Sequence, residues 1–248
     1  EIGVLGSGTD TDLEFAASSS VNVSTTGTGA IDLDGLGALT LSDVDTADGT
    51  ITVTSGGALT VTDVATGNNN AIALTTSSGD ITGLATVNAG SGAVTLNAAG
   101  AIVDDSDAST VVTGGVLTAD AAGAITIDST VTSADISTSA AGAIALDETD
   151  GITLTDLDTT DGSITVSAGG ALTATDVVAG GGTGDSVTLS TTTGGAVATL
   201  VTGADAVSIT ADAGDITIGA VTATAGTLGV TATTGSINDA ADDSTADF

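Results

Sequence analysis

Aspartate clusters are the residues of this sequence that could most readily do chemistry. One set occurs twice at a constant offset along the chain, and comprises Asp43, Asp45 and Asp48 followed by Asp156, Asp158 and Asp161. A Ca²⁺ ion takes about six to eight oxygen ligands. Carboxylates from neighbouring turns of a repetitive fold could together supply them, so these six residues are the candidate calcium ligands.

A structural interpretation competes with calcium binding. Asp-Gly pairs, as at Asp48-Gly49 and Asp161-Gly162, favour tight turns, and outward carboxylates keep a rod soluble. We favour this interpretation over calcium. Two further acidic clusters allow the same two interpretations, and they are Asp104, Asp105 and Asp107, and Asp239, Asp242 and Asp243.

Catalytic groups are few. The chain has no His, Cys, Lys, Arg, Tyr or Met, so a Ser or Thr nucleophile would lack a basic partner to activate it. Two carboxylates are sufficient for glycoside hydrolysis, but the aromatic platforms typical of a sugar site are missing, since Phe15 and Phe248 are the only aromatic residues. We expect a protein that is not an enzyme.

The charge is entirely negative, with 32 acidic residues and no Lys or Arg. Such a chain cannot neutralise phosphates, which argues against nucleic acid and anionic membrane surfaces as partners. No apolar run reaches the length of a transmembrane helix. Divalent cations are the natural counter-charge, and Ca²⁺ is the expected cofactor if there is one.

The elements that carry these residues are short strands. Residues 49–64 alternate apolar and small polar side chains across a turn at Gly56-Gly57, and residues 162–177 are a close copy. A period of two rich in Val, Ile and Thr is typical of strands. Frequent Gly and β-branched residues leave no helical period.

The apolar positions form columns that recur once per turn of chain. The first column is Leu13/Phe15, Ile31/Leu33, Ile51/Val53, Ile72/Leu74, Val94/Leu96, Leu117/Ala119, Ile144/Leu146, Ile164/Val166, Val187/Leu189, Val207/Ile209 and Leu228/Val230. The second is Val21, Leu39, Leu59, Ile81, Ile102, Ile125, Ile152, Leu172, Val197, Ile216 and Ile237. A weaker third is Val44, Val64, Val131, Leu157, Val177 and Val221.

Stacking of like residues buries all three columns continuously. The sequence therefore predicts an all-β fold, a right-handed parallel β-solenoid (β-helix) of about eleven coils of roughly 20–23 residues. One step of the first column, from Leu117 to Ile144, is longer than the others. A coil is one turn of the solenoid, with three short strands. An antiparallel β-sandwich is the alternative.

A longer duplication overlies the coils. GAIDLD at 29–34 matches GAIALD at 142–147, so a five-coil block near 29–141 is duplicated near 142–248 within one solenoid over 1–248. Neither end carries a polar cap in the sequence, with Ile2, Val4 and Leu5 at one end and Phe248 at the other. We expect the partner to be the rest of a longer solenoid or a second copy, stacked head to tail or laterally.

The pattern G-[ST]-I-T-V-x-x-G-G-A-L-T, at 49–60 and 162–173, resembles the coils of filamentous-haemagglutinin-type adhesins. The turns GAIVD at 100–104 and GSIND at 235–239 are similar. More broadly, the chain resembles the β-strand-repeat stalks of giant bacterial surface proteins. This resemblance implies an exported stalk or fibre at a bacterial or archaeal cell surface, serving adhesion or matrix formation.

Pairs of Thr separated by one residue suggest another binding function. Pairs such as Thr60/Thr62 face outward when the residue between them faces inward, and flat arrays of them are typical of ice-binding solenoids. In the following coils the pair becomes Thr82/Leu84 and then Val103/Asp105. The array is broken, so a solvated strand face is the favoured interpretation and ice binding the alternative.

Overall fold

The computed structural model describes residues 13–16, 19–107 and 111–240. Its elements are strands, numbered here along the chain. Strands β1 to β13 are Leu13–Phe15, Ser19–Thr25, Ile31–Gly35, Leu39–Thr46, Ile51–Ser55, Leu59–Val61, Asp63–Thr66, Ile72–Thr76, Ile81–Leu84, Thr86–Asn88, Val94–Ala98, Ile102–Asp104 and Val112–Ala121. Strands β14 to β25 are Ile125–Ala141, Ile144–Glu148, Ile152–Asp161, Ile164–Ala168, Leu172–Ala174, Val177–Ala179, Val187–Thr191, Ala196–Gly203, Val207–Ala211, Ile216–Ala223, Leu228–Ala232 and Ile237–Asp239.

Each strand pairs in parallel with strands one coil away. The protein is an all-β parallel β-solenoid of about 11 turns, which confirms the predicted fold class and rules out the antiparallel sandwich. The strands follow from the alternation in the sequence: β3, β5 and β17 each bury their first, third and fifth residues. The hydrophobic core of the described residues is built from Val, Ile, Leu and Ala.

For description, we divide each coil into two stretches of strand, called side one and side two. Where side two is divided, the coil has the three strands that the sequence predicts, as in β5, β6 and β7. Side one begins with β3, β5, β8 and β11, which are short strands of equal length.

Side two is longer. In β4 it has one extra residue, at the register shift opposite Val21 and Asn22. The alternation of inward and outward side chains shifts there by one position, so that Leu39 and Val44 both face inward. The second and third predicted columns lie together on this longer side, which is continuous in β4 and divided in β6 and β7.

The first column is confirmed within each half of the chain and is wrong at the step that joins them. The second-half residues that stack on one another as predicted are Ile144, Ile164, Val187, Val207 and Leu228. Ile31, Ile51, Ile72, Val94 and Leu117 stack directly on one another. The next residue in that stack is Ala134. Ile144 stacks on Ile125, in the place where the predicted second column continues with Ile152. The long step predicted from Leu117 to Ile144 is therefore not one long coil.

The two sides exchange roles at this point. The step from Leu117 to Ala134 is shorter than the preceding step from Val94 to Leu117. As a result, the short strands of the second half (β15, β17, β20, β22 and β24) continue side two. The longer runs β16, β21 and β23 continue side one. Ile31 and Ile144, which are equivalent in sequence, thus lie on opposite sides.

Other column assignments also need correction. Ala196 takes the inward place assigned to Val197, which is 39% exposed. Val131 does not stack above Val64, because that column runs through Val87, Val112 and Ser129. Leu13 pairs with Leu33 rather than with Ile31. The predictions on Ile2, Val4, Leu5, Asp242, Asp243 and Phe248 lie outside the described residues.

The corners between the sides use buried Thr and closely packed Gly. The Thr46 hydroxyl donates to the Gly49 carbonyl at 2.6 Å, and the equivalent Thr159 hydroxyl donates to the Gly162 carbonyl at 2.5 Å. A Cβ built on Gly49 or Gly162 would overlap the carbonyl oxygen of the corner Gly one coil below. Any other residue at Gly49 or Gly162 would therefore force the two stacked coils apart.

Candidate functional site: two aspartate ladders

The first candidate carboxylates lie on the bend of side two. Asp43 and Asp45 flank the inward Val44 in β4, and both are half-buried. Asp43 stacks on Asn22, whose Nδ2 donates to the Asp43 carboxylate at 3.1 Å. The pairing of Val44 with Val64 places Asp63 on the next coil above Asp43. We call Asn22, Asp43 and Asp63 the first ladder.

Burial and like charges raise the pKa values of two carboxyl groups at this bend. Burial and then the Asp43 charge raise the pKa of Asp63. Burial, together with a hydrogen bond and repulsion from Asp43, raises the pKa of Asp45. The chain offers no cationic side chain to offset these effects.

The second ladder is the sequence-equivalent of the first and lies on side one. It consists of Asp135, Asp156 and Asp176 on three successive coils, since Asp135 pairs with Asp156 and Leu157 pairs with Val177. Burial and then the charges of Asp176 and Asp135 raise the pKa of Asp156. The Oδ1 atom of Asp176 is buried and accepts no hydrogen bond.

Asp158 lies beside the second ladder. Burial and the charges of Asp156, Asp176 and Asp135 raise its pKa. Asp48 and Asp161 are at the corner that follows each ladder. Asp48 accepts a 3.1 Å hydrogen bond from Asn70 Nδ2, and the Asp161 backbone carbonyl accepts one of 2.8 Å from the Gly142 amide.

The structure therefore brings Asp43 near Asp45 and Asp156 near Asp158, while the corner residues serve other contacts. In the part of the chain that the structure describes, no three acidic side chains have an arrangement suited to holding a metal ion. Calcium binding at the six candidate residues stays a prediction.

The cluster at Asp104, Asp105 and Asp107 includes local turns. Asp104 Oδ1 accepts from the Ser106 amide and Asp105 Oδ1 from the Asp107 amide, both at 3.0 Å. Burial and then the charges of Asp104, Asp147 and Asp105 raise the pKa of Asp128 on the next coil. In the other predicted cluster, Asp239 ends β25, where it pairs with Ile218.

Sequence reasoning did not single out Asp63, Asp135 and Asp176, although a signal for them exists. Each of these aspartates follows Thr or Ala and precedes Val or Ile in the sequence. This three-residue pattern occurs where the longer side of the coil bends. Reasoning also missed rows of hydroxyls on side two, at Thr165/Ser167, Thr188/Ser190 and Ser208/Thr210.

A shallow groove of about 350 Å³ lies on side one where the coils shorten. Its lining includes Asn97, Asp120, Ser137 and Ser139. The Ser137 hydroxyl donates to Asp120 at 2.5 Å. The other lining residues are Ala98, Ala99, Ala121 and Ala122, so the groove is shallow and its side chains are small.

Comparisons with protein-family models, with curated proteins and with solved structures find no match to this chain. None of the described residues belongs to a helix long and apolar enough to cross a bilayer. The class of the protein is therefore defined by its architecture, a repetitive parallel β-solenoid.

Proposed function

We propose that this protein is structural and forms a rigid segment of an extracellular stalk or filament at a bacterial or archaeal surface. The observation that carries the proposal is the continuity of the stack. Parallel ladders run from β1 and β2 to β24 and β25, with aliphatic side chains above one another along nearly the whole length. Each coil contacts only its neighbours, which suits a rod that transmits force along one axis.

Self-association or continuation into further coils fits the exposed edge of the last described coil. Within the described residues, no strand pairs with the outer edge of β24 or β25, and Ile237 is 54% exposed. An unpaired parallel edge is a template for another strand. The proposed partner is therefore a second copy of the chain or an adjoining part of a longer solenoid.

Composition supports a role outside the cell. Trypsin-like proteases cleave after Lys or Arg, and the chain has neither. Stability without side-chain ion pairs must come from backbone ladders and apolar stacking, which salt does not weaken by screening. Adhesion and matrix formation are the roles that the resemblance of the coils to haemagglutinin-type adhesins implies.

Electron microscopy of the purified chain, with small-angle scattering of the same sample, tests the proposal. Eleven coils spaced about 4.8 Å apart give a rod on the order of 50 Å long. We expect rods of this length or longer filaments made by end-to-end association. Compact globular particles would contradict a structural rod.

Calcium binding is the second candidate function, and the second ladder favours it. Burial and then the charges of Asp176 and Asp135 raise the pKa of Asp156, and a divalent cation would relieve that repulsion. Melting curves with and without Ca²⁺ test this. The wild type should gain stability in Ca²⁺, and the variant Asp156→Asn should lose most of that gain while Asp212→Asn, away from the ladders, keeps it. Equal curves would remove calcium from consideration.

Ice binding stays a further proposal, with the hydroxyl rows on side two as its best surface. Thermal hysteresis of a concentrated solution measures it directly. Replacing Thr188 by Val should change that hysteresis if the rows contact ice, and an absence of hysteresis in the wild type would exclude the function.

A further inference from the structure

Glu148 is a carboxyl group inside the apolar core. It is 1% exposed and is the only ionisable residue among the buried residues of the described chain. Its Oε2 accepts hydrogen bonds from the Ser129 hydroxyl at 2.6 Å and the Val131 amide at 3.0 Å. Its Oε1 accepts from the Asp150 amide at 3.1 Å.

The position of Glu148 is as unusual as its burial. It pairs with Ser129 below and Ala168 above. This inward column also contains Val44 and Val64. The sequence-equivalent residue in the first half is Gly35, on the other side of the coil. Glu148 therefore lies in the coils where the two sides exchange roles, and it ties β14 to the turn before β16.

The hydrogen bonds explain why a carboxyl is needed there. The amides of Val131 and Asp150 would otherwise lack these acceptors beside the core, and a buried unpaired amide costs about 1–3 kcal/mol. A protonated carboxyl can keep all the contacts, because Oε1 can accept both amides while Oε2–H donates to Ser129. An ionised carboxylate keeps them too, but carries a charge in an apolar interior that holds no cation.

The groups that face Glu148 make its charge less favourable still. Asp150, at the turn, is the acidic group that repels it. Asp128 of β14 and Asp147 of β15 stack on each other on the outer surface. Val112 and Ala168, in the same column, bring no charge.

We propose that Glu148 is a pH-sensitive lock on the junction between the two halves of the solenoid, which holds more firmly when its carboxyl group is protonated. The lock does not depend on assembly or on the proposed structural function. Its consequence is a rod that stiffens in acid at one defined place.

The direction follows from linkage. Burial, the largest effect, raises the pKa of Glu148 above its ordinary value, although its three hydrogen bonds lower it in part. A folded-state pKa above the unfolded value means that the folded chain binds the proton more tightly. Stability is therefore gained as the pH falls through the folded pKa, and is lost as the pH rises through it.

Thermal unfolding between pH 4.5 and pH 8 tests the lock in Glu148→Gln, which keeps the shape and an acceptor but cannot ionise. The matched control is Asp147→Asn, which removes the neighbouring exposed charge. We expect Glu148→Gln to melt about 3 °C above the wild type at pH 8 and to match it at pH 4.5. The control should keep the wild-type pH dependence. Melting curves that stay parallel at all pH values would overturn the lock.

Hydrogen exchange of the wild type gives a readout that does not depend on the variant folding. Protection factors of the Val131 and Asp150 amides should fall by a factor of about ten between pH 5 and pH 8, because ionised Glu148 holds the junction less firmly. The Ile164 amide, bonded to Ser186 away from Glu148, should change much less. Equal changes at all three amides would contradict a local lock.

Discussion

The two halves of the solenoid, near 29–141 and near 142–248, carry related blocks of sequence, and the described residues of these blocks lie on opposite sides of the coil. In the first half the short strands build side one, and in the second half they build side two. The core is equally well buried in both halves, since Leu41 and its equivalent Leu154 are both 0% exposed. Parallel ladders are made by the backbone, so either side accepts either kind of strand wherever inward residues keep their spacing.

The exchange has a local cost that appears at the junction. There one coil shortens, β13 and β14 bend continuously from one side to the other, and a glutamate supplies acceptors inside the core. Elsewhere Thr and Gly at the corners are sufficient. The duplication is thus tolerated because the misfit is confined to the coils around 112–148.

The largest expected effect comes from the corner glycines. Gly49→Ala and Gly162→Ala should each cost roughly 5 kcal/mol, at the extreme of single substitutions, because the new Cβ overlaps a backbone oxygen that cannot move without separating two coils. Urea unfolding measures the loss. Gly182→Ala is the control, since its Cβ would meet no atom within 4 Å. A large difference between Gly49 and Gly162 would break the equivalence of the halves.

Core truncation should distinguish the halves slightly. Leu41 stacks between Val21 and Val61, whereas Leu154 stacks between Ala134 and Ala174. Leu41→Ala should cost about 3 kcal/mol and Leu154→Ala about 1 kcal/mol more, because small neighbours cannot fill the cavity. Denaturant midpoints at constant m-value report the difference. An equal cost would mean that the alanine columns can collapse.

Acidification should stabilise both halves. The pKa values of Asp45, Asp63, Asp156 and Asp158 are raised in the fold, so the folded chain binds protons more tightly than the unfolded chain. Lowering the pH from 7 towards 4 should raise the melting temperature by several degrees. Differential scanning calorimetry across this range measures it, and a melting temperature that falls throughout would contradict the sign.

The smallest effect separates the two ladders. Asp156 lies between two aspartates. Asp156→Asn should therefore raise the free energy of unfolding at pH 7 by about 0.5 kcal/mol, because it removes like-charge contacts. Asp43→Asn should add less, because Asn22 already donates to Asp43. Chemical denaturation at low salt resolves the two, with Asp212→Asn as a reference. A larger gain at Asp43 would reverse the ranking of the ladders.

Most of the fold could be predicted from the sequence because two patterns give the same coil length. One is the alternation of apolar and polar residues, and the other is the spacing of the glycines. Ile31 to Leu117 stack as expected since each coil repeats the same residue types at similar spacing. The exchange of sides was missed because GAIALD at 142–147 matches GAIDLD so closely that similarity suggested one column. The true successor of Leu117 is Ala134, whose weakly apolar surroundings carry little signal.

The candidate site was predicted only as pairs. Asp43 with Asp45 and Asp156 with Asp158 are neighbours along the chain, so a local pattern is sufficient to find them. Asp63, Asp135 and Asp176 join them through the register of separate coils. That register depends on coil length, and coil length cannot be read from any single segment.

The placement of equivalent blocks on opposite sides also sets the order of charged and neutral groups along side two. On side two, carboxylates occupy the lower coils at Asp43 and Asp63, and neutral hydroxyls occupy the upper coils at Thr165 and Thr188. Two rods of the same polarity touching through side two would minimise repulsion by sliding about half a rod length past one another. In a bundle of this kind, the ends of neighbouring rods would lie at different heights along the bundle axis.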